Sequence, residues 1–545
     1  MALKVVKTVI EFFNRFSRAP KVKISLFSLI SGITYALALA SINSTIQHVS
    51  AGNDSLKVHL LVMFVLSCLI HVLFKRRSVN MGTVAAENLI RNVKVDITGK
   101  IRNSELPFIE KIGKGTLYTR LTESTDAISQ GAPPLFLMME SIFSLLAIFC
   151  YIAYLSVVSL VMITVVGAVL YFAYSRYIAA ATGKLNRSDA KEAQLFDCVN
   201  DILYGFKEIR INYKKNNDLF SDIQSISEES AGQKTEASIA LDNSMVLMMS
   251  SYFIIVIGTI FILPVLGVTQ KETITSLVSS MLFLWGPIVM IFMLSRQFTM
   301  LVIAIRHLNE LDAMFEDIKP EYPGLAPVPG VFTEISLNGV EYCYRNSDGE
   351  PLFRIGPINF SFKKGEIVFI TGGNGSGKST LMKLLTGLYY PEPGGAITLE
   401  KERIADGIYQ RYRELFATIF TDFHIFEKLY GLENIDETTV NDLLRRMEID
   451  HKTKYVEDKF TNILLSTGQR KRVAYISAVL EEKQIYVFDE WAADQDPEFR
   501  KKFYTLFLED MRTMGKTVIA VSHDDQYFHT ADRIVKMDEG KSLAV

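Results

Sequence analysis

Long apolar runs in the N-terminal half constrain this 545-residue chain more than any other feature. Residues 24–42 and 58–74 each approach the roughly 20 apolar residues needed to cross a bilayer. The apolar block 135–174, introduced by Pro133-Pro134, is too long for one crossing and divides near Ser156 into 135–155 and 157–174. Two further runs cover 245–266, interrupted by Pro264, and 276–294, which contains Pro287. Proline is tolerated in such helices when neighbours or local distortion satisfy the freed carbonyl. The expectation is a transmembrane domain over 1–318 with six helical spans.

Loop charge predicts the orientation. Lys4, Lys7, Arg15, Arg18, Lys21 and Lys23 precede the first run, Lys75-Arg76-Arg77 follow the second, Arg176 follows the fourth and Arg296 ends the sixth. The opposite loops carry mainly Lys57 and Lys271. The positive-inside rule therefore places both termini in the cytoplasm. Ala38-Leu39-Ala40 resembles a signal-cleavage site, but the long charged leader and the even count of spans favour a retained first span. The connections 75–132 and 176–242 carry mixed charge with helically spaced apolar residues, so they read as long cytoplasmic helices rather than disordered linkers.

A formal net charge of −2 argues against a nucleic-acid partner, for which a basic excess is expected. Cys68, Cys150, Cys198 and Cys343 are widely separated, which fits reduced thiols rather than a disulfide framework or zinc site.

Beyond a linker at 319–331, residues 332–545 read as a soluble α/β domain. Here the apolar run Ile367–Ile370 feeds Gly372-Gly373-Asn374-Gly375-Ser376-Gly377-Lys378-Ser379-Thr380, and an apolar helix-like segment follows. Strand, glycine-rich loop and helix in that order make G-x-x-x-x-G-K-[ST] a phosphate-binding loop. Its glycines let backbone N–H groups converge on phosphate oxygens at a helix N-terminus. Lys378 is expected to reach the β- and γ-phosphates, and the Ser379 hydroxyl to bind Mg²⁺. A nucleoside triphosphate with Mg²⁺ is therefore the expected ligand.

Three later segments carry a family resemblance. Leu465-Ser466-Thr467-Gly468-Gln469-Arg470-Lys471-Arg472 resembles the signature sequence of ABC-transporter ATPases. Ile485–Glu490 has the form of their Walker B strand, and Val521-Ser522-His523 resembles the switch histidine. With the six spans, the whole chain resembles an ABC exporter of the type I exporter fold, a membrane all-α six-helix domain fused to an α/β P-loop ATPase domain. Phe488–Pro497 and Ser522–Asp525 look closest to the cyclic-peptide and siderophore exporters, a group that includes exporters of lasso-peptide microcins, syringomycin and pyoverdine precursors. Trp491 and the doubled aspartates depart from the more usual wording of those segments.

The resemblance makes that nucleotide ATP and implies roles position by position. Asp489 would hold Mg²⁺, Glu490 would be the general base, and His523 would contact the γ-phosphate. Tyr344 would stack on adenine, with Tyr342 as its rival. Ser466, Gly468, Gln469 and Asp496 would meet nucleotide bound by a second chain, so a homodimer is expected, with a heterodimer as the alternative. Thr421 stands where the family usually has a glutamine, giving at most a weak metal contact and leaving coupling through that loop in doubt. Thr467 replaces the usual second glycine of the signature. Short coupling helices are implied near Gly113–Leu117 and Ile211–Lys215.

For the transport path, an intramembrane carboxylate is costly unless paired or wetted, so Glu140 is a candidate. Met245, Met249 and Met290, with other methionines of the last two spans, are candidates because thioethers adapt to varied apolar surfaces. The sequence thus predicts an ATP-driven exporter of a modified peptide or siderophore-type molecule in the bacterial cytoplasmic membrane. A lipid flippase and an ATP-gated regulatory protein are the alternatives.

Overall fold

The computed structural model describes residues 2–17, 20–50, 57–265, 271–316, 332–346, 349–404, 408–433 and 435–544. Arg18, Leu266 and the linker expected at 319–331 lie outside these residues. The chain separates into two compact units, residues 1–97 with 118–312, and residues 98–117 with 313–545.

The first unit is helical. It draws on α1 (Ala2–Phe16), α2 (Lys21–Ser50), α3 (Val58–Arg102), α5 (Lys114–Leu155), α6 (Val157–Tyr204), α7 (Phe206–Ile211), α8 (Tyr213–Ile257) and α9 (Lys271–Glu316), while α4 (Leu106–Ile112) belongs to the second. Helix α1 buries Val9, Phe12 and Phe13 and exposes Lys7, Glu11 and Asn14, the spacing of a helix lying on a surface. Arg15 at its end pairs with Asp312 at 2.6 Å.

Among the described residues, five helices are long and apolar enough to cross a membrane, and a shorter apolar stretch, Val157–Val169, opens α6. Along α3, Leu61, Val62, Val65, Leu66, Leu69, Val72 and Leu73 all face outward. So large an exposed apolar surface suits a hydrocarbon solvent.

The prolines behave differently from one another. Pro133 and Pro134 lie inside α5 rather than before a span, so the helix starts 21 residues earlier than the predicted span at Leu135. Gly131 makes close packing possible here, because a Cβ at that position would sit 2.9 Å from Leu301 Cβ. Near Pro264 the chain instead passes through a π-helical turn, Gly258–Ile262, before Leu263–Val265. A wider turn is one of the usual accommodations where a proline breaks the ladder. At Ser156 the helix breaks, and the Ser156 hydroxyl caps α6 by accepting from Ser159 N–H.

The second unit contains a four-stranded antiparallel sheet and a six-stranded sheet. The first holds β1 (Glu334–Arg345), β2 (Pro351–Lys363), β4 (Ala396–Leu399) and β5 (Glu402–Arg403). The second runs β10 (Lys541–Ala544), β9 (Arg533–Asp538), β3 (Ile367–Gly372), β8 (Thr517–Val521), β7 (Ile485–Asp489), β6 (Phe416–Ile419), all parallel except the edge strand β10. Its central strands β3, β8 and β7 are mostly apolar because both faces are covered, while β9 nearer the edge carries Arg533, Lys536 and Asp538. Val368 and Ile370 enter one core cluster, and Ile367 and Phe369 the other.

Register positions the site. Val521 of β8 pairs with Ile370 of β3 on one side and Asp489 of β7 on the other. The carboxyl ends of the three strands therefore stop level, where ligands bind in open α/β sheets.

Candidate nucleotide site and its supporting network

Three sequence-predicted segments leave those strand ends together. From β3 the loop Gly372–Gly377 leads into α10 (Lys378–Leu385). Gly372, Gly375 and Gly377 have φ of +146°, +78° and +97°, backbone that side chains disfavour. At Gly372 space forbids one as well, since a Cβ would meet Met537 O at 2.3 Å. Gly373 and Asn374 complete the turn. Lys378 is buried, and its Nζ donates to Gly372 O at 2.9 Å and Gly373 O at 3.0 Å. The ammonium thus closes the loop upon itself through carbonyls that a phosphate could replace.

The donor set fits a triphosphate with a hard divalent cation. Ser376 Oγ and Asp489 Oδ1 are both buried without a hydrogen-bond partner. An orphaned buried polar atom is costly, and two of them, one in the loop and one at the end of β7, mark a site for a polar ligand. Asp489 Oδ2 accepts from Thr421 Oγ1 at 3.1 Å, and the Ser379 hydroxyl also bonds this carboxylate. Burial pushes the Asp489 carboxyl above its ordinary range, against the opposing hydrogen bonds from Thr421 and Ser379. Among the described residues no group of three or more His, Cys, Asp or Glu could hold a metal. One carboxylate with hydroxyls and phosphate oxygens is the mixed oxygen set that Mg²⁺ takes.

Glu490 follows Asp489 and sits at φ +51°, ψ +37°. Its Oε1 lies 3.3 Å from His523 Nε2, so the predicted base and the predicted histidine meet. Both side chains are partly exposed, which leaves a water or phosphate access to them.

The two candidate adenine partners differ in surroundings. Tyr342 stacks on Tyr389 with ring centroids 4.4 Å apart at 18°, so one of its faces is covered. Burial is the main cause that raises its phenol to about 12, with charges of Tyr344 and Glu110 adding. Tyr344 OH meets Thr380 Oγ1 at 3.1 Å and donates to Tyr389 OH at 3.4 Å, which ties it to the helix behind the phosphate loop.

Ser466, Gly468, Gln469 and Asp496 gather in a second network around the start of α11 (Thr467–Leu480). Ser466 and Gln469 form a capping box, each side chain bonding the other's backbone N–H. Gly468 O accepts from Gln495 Nε2 at 3.0 Å, and a Cβ at Gly468 would strike Asp494 O at 2.6 Å. Asp496 caps the following helix by accepting from Phe499 N–H at 2.9 Å, and that bond is the largest cause holding its carboxyl below the usual range. Arg472 reaches Gln495 Oε1 at 2.9 Å and Asp496 Oδ2 at 2.7 Å.

A family model described as "ABC transporter transmembrane region" matches residues 22–285, and one described as "ABC transporter" matches residues 355–493. The chain belongs to the ABC transporters. This transporter is 28% identical over 538 residues to the ATP-binding protein SyrD of Pseudomonas syringae pv. syringae, covering 94% of this chain and 92% of that one. An energy-coupling factor transporter ATP-binding protein, EcfA1 of Mycoplasma mobile, is 31% identical over 225 residues, 38% of this chain and 78% of EcfA1. Among solved structures, a bacterial Atm1-family ABC exporter with ATP bound superposes with a TM-score of 0.75 at 17% identity, over 95% of this chain and 93% of that chain. The transporter therefore has the exporter fold, a helical membrane domain joined to an ATP-hydrolysing ATPase domain.

In the helical unit, Glu140 is almost fully buried. It pairs with Lys75 at 3.0 Å and accepts from Ser144 Oγ at 2.9 Å and Ser31 Oγ at 3.3 Å. Ser31 Oγ also lies 3.0 Å from His71 Nδ1. Met245 is exposed, Met249 and Met290 are half-buried, and Met281 is buried in an apolar cluster with Leu39, Ile148 and Leu277.

Sequence reasoning missed three participants. Lys471, inside the signature segment, reaches across to Glu490. Glu110 of α4 bonds Lys383 at 2.8 Å and accepts from Tyr389 OH, which in turn touches Tyr344. The departure at Trp491, whose ring N–H bonds Lys471 O, was the available signal for Lys471; Glu110 and Tyr389 are 279 residues apart and left none.

Proposed function

We propose that this transporter is one half of a homodimeric exporter in the bacterial cytoplasmic membrane, driven by ATP hydrolysis, with a modified peptide or siderophore-type molecule as cargo. The observation that carries the hydrolytic part is the Glu490–His523 pair at 3.3 Å beside the phosphate loop, since a protein that only senses ATP needs neither. In this reading Lys378 leaves the carbonyls of Gly372 and Gly373 for the β- and γ-phosphates, while the N–H groups of the loop cradle the phosphate chain. Mg²⁺, when bound, would be held by Ser379 and Asp489 with Thr421 at the rim, and would draw charge from the β- and γ-phosphates. Glu490 orients the attacking water and accepts its proton, and His523 steadies charge on the γ-phosphate. Tyr344 is the adenine platform; Tyr342 is already stacked.

Dimerisation is supported by an apolar tip on the α6–α8 hairpin, where Tyr204, Ile211 and Tyr213 are 80–89% exposed. Side chains of that size are costly in water and suit a partner surface. The second copy would also supply Ser466, Gly468, Gln469 and Asp496 to the nucleotide held by the first. Cytoplasmic placement of both termini and of the ATPase domain is supported by the basic loops. The cargo class is supported by the wording of residues 488–497 and 522–525 and by likeness to SyrD across both domains. Glu140, Met245, Met249 and Met290 are the proposed residues of the transport path, with Glu140 held ready by Lys75.

The test has two arms. Purified dimer is expected to show saturable, Mg²⁺-dependent hydrolysis that falls by roughly a hundredfold or more in Glu490→Gln or Lys378→Ala. Full hydrolysis in both variants would refute the site. Metabolite profiling of cells with and without the protein should reveal one peptide-derived or siderophore-type compound retained inside. Movement of labelled lipid alone in proteoliposomes would overturn the cargo class.

A further inference from the structure

Glu490 combines a strained backbone with a demand for accuracy. It occupies the left-handed region at φ +51°, ψ +37°, a conformation costly for any residue with a Cβ. Other residues of the chain, Glu448 and Glu482 among them, share this region, but Glu490 combines it with a candidate catalytic side chain and a buried partner on its carbonyl. We propose that Lys471 is the residue that imposes this conformation, a positioning residue that sets the Glu490 carboxylate for catalysis; this rests on reading Glu490 as the base.

The geometry is a two-way clamp. Lys471 Nζ donates to Glu490 O at 2.6 Å, and Trp491 Nε1 donates to Lys471 O at 2.8 Å. Lys471 thus holds the backbone of Glu490 and Trp491 holds that of Lys471, across 19 and 20 residues of sequence. The same ammonium pairs with Asp494 Oδ2 at 2.7 Å. The Lys471 side chain is only 2% exposed, and the Asp494 side chain is 47% exposed. A buried ammonium is costly without a counter-charge, and a carboxylate three residues beyond Trp491 supplies one.

Trp491, where this segment departs from the usual wording of its family, and Asp494 both bond Lys471. A merely apolar filling of the space would hold the helix against the strand without reading the Glu490 carbonyl. A neutral donor could reach that carbonyl but would leave Asp494 unpaired. Lysine does both at once. Turning the 490–491 peptide away would redirect the Glu490 side chain from His523 Nε2, which now lies 3.3 Å away. The consequence is specific. Loss of the clamp leaves ATP binding in place and slows its cleavage.

The experiment uses full-length dimer in nanodiscs, with kcat, KM and ATP affinity measured separately for Lys471→Met, Lys471→Arg and Asp494→Asn. Lys471→Met is expected to lower kcat by roughly ten- to a hundredfold while KM and ATP affinity stay within about twofold. Lys471→Arg, which keeps the charge and a donor, should recover a large part of the lost kcat. Asp494→Asn should fall between. Equal kcat in Lys471→Met and the parent overturns the proposal, as does a loss that appears equally in ATP affinity and is not relieved by arginine, which would mark a packing role. Failure of the underlying reading looks different: Glu490→Gln would then retain hydrolysis whatever happens at 471.

Discussion

Two short helices of similar length, α4 and α7, sit between the long helices of the predicted cytoplasmic connections, and they end in opposite situations. Helix α4 is satisfied within its own chain. Leu106 packs against the core of the ATPase sheet, Phe108 meets Phe315 at 5.1 Å, and Glu110 bonds Lys383 and Tyr389. Its ends are well made: Pro107 stands in the first turn, and Gly113 turns the chain at φ +84°. Helix α7 ends at Asn212, which caps the next helix α8 by accepting from Lys215 N–H at 3.1 Å. Of its own residues only Ile209 is buried, and large apolar side chains on and around it face outward. Two loops of the same construction, one covered and one bare, set the covered contacts of α4 against the surface that the proposed second copy would cover at α7.

The strongest challenge to that lesson is to make the bare surface repel its proposed partner. The double substitution Ile211→Asp with Tyr213→Asp puts two charges where apolar contact is expected. Burying such charges, or losing an aromatic anchor, typically costs over 2 kcal/mol, so the docked population should fall by roughly thirtyfold. ATP-dependent transport in proteoliposomes should fall in step, with ATP binding by each chain preserved. Transport at the parental rate would remove the argument for a second copy at α7.

A milder test addresses the covered helix. Glu110→Ala removes one ion pair and one hydrogen bond while leaving Leu106 and Phe108 in place. Because Glu110 and Lys383 are both partly exposed, the loss should be near 1 kcal/mol, or roughly fivefold in docking. The readout is the ratio of cargo-stimulated to basal hydrolysis, expected to drop about fivefold with ATP affinity unchanged. An unchanged ratio would mean that α4 is held by its apolar contacts and transmits nothing through Glu110. Tyr389→Phe keeps the ring that Tyr342 stacks on and removes only the hydroxyl, whose proton burial and the Glu110 bond hold well above the usual phenol range. Its effect should have the same sign and be smaller.

The contrast also shows which parts of the molecule could be read from the sequence. The phosphate loop was legible because strand, glycines, lysine and helix are contiguous, and the parallel order β3–β8–β7 then brings Asp489, Glu490 and His523 to it. The apolar runs were legible because a bilayer demands consecutive residues. What escaped depends on pairs distant in sequence. Lys471 finds Glu490 only through the packing of α11 beside β7, and Glu110 finds Tyr389 only through docking of α4. Helix length escaped for a local reason: Pro133-Pro134 reads as a boundary, yet the helix continues through it.

Thr421 gives the smallest expected effect and the sharpest division of labour. The family resemblance implies a glutamine at this position, and the Thr421 hydroxyl donates to Asp489 Oδ2 at 3.1 Å. A bond of that kind contributes about 0.5–1 kcal/mol when partly buried, so Thr421→Ala should raise the Mg²⁺ concentration for half-maximal hydrolysis by roughly threefold. A threonine is too short to carry a signal far from the carboxylate it touches. The ratio of stimulated to basal hydrolysis should therefore stay constant in Thr421→Ala, while it falls in Glu110→Ala. Were the two results reversed, coupling would run through the loop at 421, and the contacts of α4 with Tyr389 and Lys383 would be anchorage alone.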